Sequence, residues 1–213
     1  MIAIVIGSTG LTGSALIRQL LDDSAIAQVI SVSRSSLRSL SAKLNEVLIP
    51  DLQALPSVAS RLQGDLYFSC LGTTIKTAGS KENFDAVDRG AMMTFATIAR
   101  ARDPRSFTLI SATGADARSM FFYNQVKGRA EDEVTALGFR SLIIFRPALL
   151  VGLRREVRLA ERVAEMTLVP LSKILPSRMA KNMITPAEHL AGRMIAEAKL
   201  AVPGTRVIRA SEI

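Results

Sequence analysis

The sequence has little cysteine, few aromatic residues and no long apolar run. Its 213 residues include one cysteine, Cys70, which cannot form a disulfide within the chain and which fits a reducing compartment. No apolar run reaches the ~18 residues that a membrane-spanning helix needs. The apolar start, residues 1–6, follows no basic segment and leads directly into glycines, which predicts a buried strand rather than a signal peptide. These absences predict a cytoplasmic protein without a transmembrane segment.

The net charge of +8 does not by itself indicate a nucleic-acid-binding protein. Only 5% of the residues are aromatic, and no basic run is interleaved with them in the way that stacking surfaces for nucleic acid require. The charge fits a general cationic surface, or one that attracts a phosphorylated cofactor. His189 is the one histidine, and no cluster of side chains has the spacing of a metal site, so no metal is expected.

Short apolar runs rich in β-branched residues alternate with helical segments. The runs lie at 2–6, 28–33, 46–50, 65–70, 107–111, 141–145 and 205–210. The helical segments lie near 11–21, 82–102, 123–137, 155–167 and 186–199. Because nearly continuous hydrophobicity is typical of parallel strands covered on both faces, this order predicts an α/β fold with a doubly wound parallel sheet. We expect one domain over 1–213, in which approximately 150–200 form a small C-terminal cap on the substrate side.

The first strand ends in the glycine-rich turn "GSTGLTG". Directly after a strand and before a helix, such glycines allow a tight turn, a close approach of the backbone to a pyrophosphate and close packing of the helix on the sheet. The helix that follows directs its N-terminal dipole and its free N–H groups at the anion. The turn therefore predicts a Rossmann-like NAD(P)-binding fold. The expected contacts are Gly7, Ser8, Thr9, Gly10, Leu11, Thr12 and Gly13.

The end of the second strand predicts the choice between the two nicotinamide dinucleotides. An NAD-preferring site usually has an acidic residue there, to accept hydrogen bonds from the ribose hydroxyl. This chain has Ser33 and Arg34, with Arg38 one turn later. Guanidinium groups suit a 2′-phosphate, so NADP(H) is favoured over NAD(H). The alternative is a solvated basic loop.

A further contact is expected after the third strand. Asp51 or the backbone of Leu52 could reach the adenine amino group. Asp51 could equally be the N-cap of the next helix.

Three residues have the chemistry to reduce a carbonyl or to oxidise an alcohol. Ser111 ends the predicted strand 107–111, at the carboxyl edge of the sheet. Tyr123 and Lys127 are four residues apart on a predicted helix. An ammonium ~4 Å from the phenol would favour the phenolate by roughly 4 kcal/mol, so Lys127 is expected to lower the pKa of Tyr123 toward neutrality. Ser111 would hydrogen-bond the substrate oxygen. The plainer alternative is that the tyrosine and lysine only lie side by side on a helix.

These residues also carry a resemblance to a known family. The glycine-rich turn, Ser111 and "YNQVK" resemble an atypical short-chain dehydrogenase/reductase. The segments 69–88, 114–134 and 145–152 are similar to the Tat-interacting-protein oxidoreductase family and its short bacterial relatives. The family residues that the resemblance transfers to this chain are the catalytic triad Ser111, Tyr123 and Lys127 and the cofactor-binding residues Leu71, Gly72, Thr73, Lys127 and Pro147.

The resemblance leaves two positions open. Thr113 is a second hydroxyl that could share the role of Ser111, and the asparagine that many short-chain dehydrogenases carry in helix 4 has no clear counterpart, since Asn83 lies close to a loop.

Two functions follow from these patterns. The first is an NADP(H)-dependent oxidoreductase that acts on a small carbonyl or hydroxyl compound. The second is an NADP(H)-binding regulatory or interaction protein with little or no turnover. The apolar and basic stretch 167–183 would then be its lid or partner-facing surface. The alternative interpretation of that stretch is a packed connection. A homodimer or a protein partner is compatible with either function.

Overall fold

A seven-stranded parallel sheet forms the centre of the molecule. The computed structural model describes residues 1–152 and 184–213. The strands in the described residues are β1 (Ile2–Ile6), β2 (Gln28–Ser33), β3 (Leu44–Leu48), β4 (Leu66–Ser69), β5 (Ser106–Ile110), β6 (Ser141–Arg146), β7 (Leu149–Val151), β8 (Ile184–Pro186) and β9 (Gly204–Arg209). The order in the large sheet is β3-β2-β1-β4-β5-β6-β9, and β7 and β8 form a separate parallel pair. The chain winds outward from β1 in one direction and from β4 in the other, which confirms the doubly wound sheet.

Helices cover both faces of this sheet. They are α1 (Leu11–Asp22), α2 (Ile75–Ala78), α3 (Lys81–Asp85), a π-helical segment (Ala86–Ala91), α4 (Met92–Arg100), α5 (Phe122–Ala136) and α6 (Ala187–Leu200), with 3₁₀ helices at Leu52–Arg61 and Ala210–Glu212. The segments α3, π and α4 follow one another without a break and correspond to the helix predicted near 82–102. The predicted helix 155–167 and the stretch 167–183 lie outside the described residues. Within the described ranges, no helix has the length and apolar character needed to span a bilayer.

Alternate residues of each strand enter two different cores. On one face, Ile4 of β1 packs with the 3₁₀ helix, α4 and α5, through side chains such as Phe95 and Val134. On the other face, Val5 packs with α1 and α6, where Met194 is fully buried. Because successive side chains of a strand point to opposite faces, the near-continuous apolar runs are what two covered faces require. Full burial of each such side chain contributes about 1.5–3 kcal/mol.

Two parts of the chain differ from the sequence-based expectation. β3 occupies Leu44–Leu48 rather than 46–50, because Pro50 has no N–H to donate to a sheet and Asp51 is the N-cap of the helix Leu52–Arg61. The three-residue strands β7 and β8 were not expected, since each is too short to show a periodic pattern. The last part of the expected cap is α6, and this helix covers the sheet. Residues 153–183 lie outside the described residues, so the cap itself stays a prediction.

Candidate functional site

The glycine-rich turn connects β1 to α1 with almost no space for side chains. Gly7 has a φ of +76°, and a Cβ there would lie 2.5 Å from the carbonyl oxygen of Cys70. A Cβ on Gly13 would overlap the carbonyl group of Gly7 and lie 2.8 Å from its carbon. A Cβ on Gly10 would meet only the Gly7 oxygen, at 3.3 Å. Gly7 and Gly13 are therefore required by the protein's own packing, and Gly10 keeps an exposed backbone where a ligand can approach.

The start of α1 is suited to an anion. Gly10 is the N-cap and provides no side-chain cap, and the first turn contains no acidic residue. The hydroxyl of Thr12 is buried and has no hydrogen-bond partner among the described residues. The first N–H groups of a helix lack intrahelical acceptors and carry the positive end of its dipole. An uncapped helix start beside an unpartnered buried hydroxyl fits the pyrophosphate of a dinucleotide.

Two other residues of the turn have structural partners. The hydroxyl of Ser8 is buried against that of Ser31, at 2.7 Å. Leu11 lies against Gly152, where an added Cβ would overlap the leucine side chain. Their side chains fix the turn to β2 and to the segment after β7, and the expected contacts of both residues with the cofactor stay a prediction.

A cavity of about 870 Å³ opens beside this turn at the carboxyl edge of the sheet. The sequence-predicted residues that line it are Gly7, Thr9, Gly10, Ser33, Arg34, Asp51, Leu52, Leu71, Gly72 and Thr73. Lining residues that the sequence did not indicate include Gln53, Thr77 and Thr94. Cys70 also lines the cavity; it is partly exposed as a residue, yet burial raises the pKa of its thiol to about 12, so the thiol stays protonated near neutral pH. The cavity has the size of a site for a small molecule or cofactor.

Arg34 and Arg38 both lie in the loop that follows β2, but at different distances from the cavity. The carboxylate of Glu46 accepts hydrogen bonds from the Ser36 hydroxyl at 2.8 Å and from the Leu37 N–H at 2.6 Å, which fixes the loop against β3. Arg38 adopts a left-handed φ of 54°, is exposed and does not line the cavity. Arg34 does line it. The structure places Arg34 on the cavity wall and Arg38 away from it, because the Glu46 anchor turns the chain before Arg38.

Asp51 has the capping role that was the alternative to cofactor binding. Its Oδ1 accepts hydrogen bonds from the N–H groups of Gln53 at 2.8 Å and Ala54 at 3.1 Å. Asp51 and Leu52 also lie on the cavity wall, so the cap holds this wall in place.

Ser111 directly follows β5 and has an unused hydroxyl. Its side chain is buried, and Oγ has no hydrogen-bond partner in the ranges that the structure describes. The hydroxyl of Thr113, in contrast, donates to the carbonyl oxygens of Pro147 at 2.9 Å and Arg146 at 3.2 Å. Thr113 therefore ties the loop after β5 to the loop after β6, and Ser111 is the hydroxyl that a ligand can use. Pro147, expected near the cofactor, is buried and serves here as the acceptor of Thr113.

The loop after Ser111 packs closely against the helix that carries the other two catalytic candidates. The Asp116 N–H donates to the carbonyl oxygen of Asn124 at 3.1 Å. A Cβ on Gly128 would overlap the backbone of Asp116 and Ala117. Gly128 is thus a residue that the sequence analysis missed, although a glycine inside a helix and directly after Lys127 was a usable signal.

Tyr123 lies one turn before Lys127 on α5. Its ring packs on Phe84 of α3, with the centroids 5.5 Å apart, and 38% of the side chain remains exposed. Burial raises the pKa of Tyr123, the charge of Lys127 lowers it, and the charge of Asp88 raises it. The net direction is upward, so the expectation that Lys127 brings the pKa of this phenol toward neutrality is wrong for the protein without ligands.

Lys127 is held by a buried carboxylate. Its Nζ lies 2.7 Å from Oδ1 of Asp88, with the side chains 7% and 0% exposed. The approach is off the direction of a well-formed hydrogen bond, so the pair is chiefly electrostatic. The other oxygen, Oδ2, accepts the N–H of Thr73 at 2.9 Å. Asn83 lines the cavity and donates from Nδ2 to the Ala78 carbonyl at 3.0 Å, so the polar group that this helix presents to Lys127 is Asp88 and not an asparagine.

Solved structures confirm the class of fold. MoeE5, in complex with UDP-glucose and NAD, superposes with a TM-score of 0.77 at 17% identity, over 98% of this chain and 75% of that one. A short-chain dehydrogenase family protein from Francisella tularensis subsp. tularensis SCHU S4 gives 0.71 at 14% identity, over 99% and 98%. The protein therefore has the Rossmann-like α/β fold that these structures share.

Curated relatives narrow this class to one family. The chain is 38% identical to Protein FMP52-1, mitochondrial, of Scheffersomyces stipitis over 156 residues, which are 72% of this chain and 69% of the relative. It is 32% identical to Protein HTATIP2 of Rattus norvegicus over 194 residues, which are 90% and 80%. No family model matches the chain. The chain belongs to the family of the Fmp52 and HTATIP2 proteins, which are atypical short-chain dehydrogenases/reductases.

The relatives overturn the expected location. The Fmp52 proteins of Scheffersomyces stipitis and Emericella nidulans are named mitochondrial. The cytoplasmic prediction is therefore wrong. It rested on a single cysteine and on the start of the chain, and a lack of disulfides fits any reducing compartment.

Proposed function

We propose that this protein is an oxidoreductase that uses NADP(H) in preference to NAD(H) and acts on a small carbonyl or hydroxyl compound. The observation that carries the proposal is the unpartnered buried hydroxyl of Ser111 at the sheet edge where the glycine-rich turn lies, with Tyr123 and Lys127 on the next helix. Ligands of open α/β sheets bind at this edge. The NAD bound to MoeE5 supports the ligand class.

Each of the three residues has a role that its environment supports. When bound, the cofactor supplies or accepts the hydride. Ser111 donates a hydrogen bond to the substrate oxygen, and Tyr123 gives that oxygen its proton during reduction. The Lys127 ammonium stabilises the phenolate that remains, and it is suited to hold the nicotinamide ribose.

The first test is the oxidation of NADPH in the presence of aldehydes, ketones and quinones. We expect NADPH binding and substrate-dependent consumption of NADPH. Tight NADPH binding without turnover across the panel would favour the second candidate function below.

The raised pKa of Tyr123 predicts different pH profiles for the two reaction directions. Reduction needs the protonated phenol, so its kcat/KM is expected to stay level through neutral pH and to fall only as the pH passes the raised pKa. Oxidation needs the phenolate, so its kcat/KM is expected to rise with pH over the same range. A reduction profile that already falls well below pH ~10 would contradict this assignment.

The preference for NADP(H) depends on Arg34. Arg34→Ala is expected to weaken NADPH binding about 10–100-fold, since a charge-assisted hydrogen bond contributes about 1.5–3 kcal/mol, and to leave NADH binding unchanged. Arg38→Ala is the matched control, because this arginine lies in the same loop but not on the cavity. Binding of both nucleotides is followed by fluorescence titration. Equal weakening for NADPH and NADH would reject the assignment.

A second candidate is an NADP(H)-binding interaction protein with little turnover. Met120 and Phe121, directly before α5, are 100% and 75% exposed, and such apolar side chains can contact a partner as well as a substrate. The relationship to Protein HTATIP2 is compatible with this function. The stretch 167–183, which suggested a partner surface, lies outside the described residues.

A further inference from the structure

Asp88 uses both oxygens of a fully buried carboxylate. It lies in the π-helical segment between α3 and α4, and its two partners are the ammonium of Lys127 and the N–H of Thr73. Thr73 lines the cavity, and Lys127 lies one turn after Tyr123. One carboxylate thus joins a cavity wall to the helix that carries the proposed proton donor.

Burying this charge is costly unless it is paired, and Lys127 supplies the opposite charge. The position of the pair depends on the surrounding structure. Arg89, the next residue, fixes the segment from outside: its Nη2 lies 2.5 Å from Asp85 Oδ2 and its Nη1 lies 3.2 Å from Glu133 Oε1 of α5. Short π-helical turns occur frequently at functional sites. Here the turn presents Asp88 inward and Arg89 outward, and both contact α5.

We propose that Asp88 is a positioning residue, whose carboxylate holds Lys127 and the Thr73 backbone in one fixed arrangement with Tyr123. The inference deepens the proposed oxidoreductase function and rests on it for its catalytic meaning. The arrangement itself exists without nucleotide or substrate, so it can be tested apart from turnover.

The charge of Asp88 also opposes the effect of Lys127 on the phenol. Three neighbours face Tyr123. They are Lys127 on the same helix, Asp88 on the π-helical segment and the uncharged ring of Phe84 on α3. Loss of the negative charge leaves a cationic neighbour without an anionic one, so the phenolate forms at a lower pH. Asp88→Asn is therefore expected to lower the midpoint of Tyr123 ionisation.

The sequence makes this midpoint directly measurable. The chain has two tyrosines and no tryptophan, so ultraviolet difference absorbance reports phenolate formation with little interference. Tyr67 is fully buried and burial raises its pKa to about 12, and Tyr67→Phe removes its signal. Asp88→Asn is titrated in this background. Asp85→Asn is the control, because Asp85 pairs with Arg89 and is not among the charges that act on Tyr123.

Asp88→Glu separates charge from position and keeps the buried lysine paired. We expect its Tyr123 midpoint to stay at the value of the Tyr67→Phe background, while NADPH binding weakens about tenfold, because the longer side chain cannot hold Lys127 and Thr73 in the same places. A midpoint in Asp88→Asn that is unchanged or higher would overturn the electrostatic part of the proposal, and unchanged NADPH binding in Asp88→Glu would overturn the positioning part. A protein that binds NADPH but shows no turnover would refute the proposed function and leave both of these results standing.

Discussion

Tyr123→Phe is expected to lower kcat for carbonyl reduction about 10³-fold, because it removes the hydroxyl that we propose as the proton donor. The hydroxyl is the only atom lost, and the ring keeps its packing on Phe84. Lys127 keeps its ion pair with Asp88, so the buried charges stay balanced. Nucleotide affinity is therefore expected to remain essentially unchanged, and the loss is confined to the chemical step.

The chain offers a matched control for this substitution. Tyr67→Phe removes the other phenolic hydroxyl, which donates to the Leu62 carbonyl oxygen at 2.7 Å, away from the cavity lining. It is expected to reduce stability slightly and to keep kcat. Measurement combines steady-state turnover with NADPH titration of both variants. Full activity in Tyr123→Phe would show that another group supplies the proton.

Gly13→Ala is expected to abolish nucleotide binding and to destabilise the protein by about 1–3 kcal/mol or more, as overpacking does in a well-packed interior. The new methyl group would overlap the carbonyl of Gly7 and lie 2.9 Å from the Cα of Ser8. Both are backbone atoms, which cannot move aside by changing a rotamer. To relieve the contact, α1 has to shift away from the turn, and its free N–H groups then lose their alignment with the anion.

Gly10→Ala provides the contrast within the same turn. Its methyl group would meet only the Gly7 oxygen, at 3.3 Å, so we expect near-normal stability together with weaker nucleotide binding. Denaturant unfolding and NADPH titration of the two variants separate packing from ligand approach. Wild-type stability in Gly13→Ala would show that the turn is less constrained than its geometry indicates.

The features that could be predicted from the sequence are the local ones. The strand, the glycine-rich turn and α1 are contiguous, so spacing alone indicated them. Tyr123 and Lys127 are four residues apart on one helix, and helical periodicity was enough to pair them. The strands of the large sheet follow from their nearly continuous apolar runs, because both faces of the sheet are covered.

The features that could not be predicted depend on contacts between distant segments. Asp88 meets Lys127 only when the π-helical segment packs on α5, and nothing near Asp88 in the sequence marks that contact. The position of Arg38 away from the cavity wall depends on Glu46, which lies on a different strand and fixes the loop. The pKa of Tyr123 was expected to fall because the sequence shows the lysine but neither the burial of the ring nor the opposing carboxylate.

The position of α6 and β9 in the sheet has a consequence for how the molecule is made. The apolar face that includes Val5 and Phe68 is covered partly by Leu190 and Met194 of α6, and β9 pairs with β6 across about 60 intervening residues. On the ribosome, the glycine-rich turn is therefore synthesised well before α6 and β9, and one side of the sheet that supports it stays uncovered until they have emerged. An apolar surface exposed in this way during synthesis favours aggregation of the nascent chain.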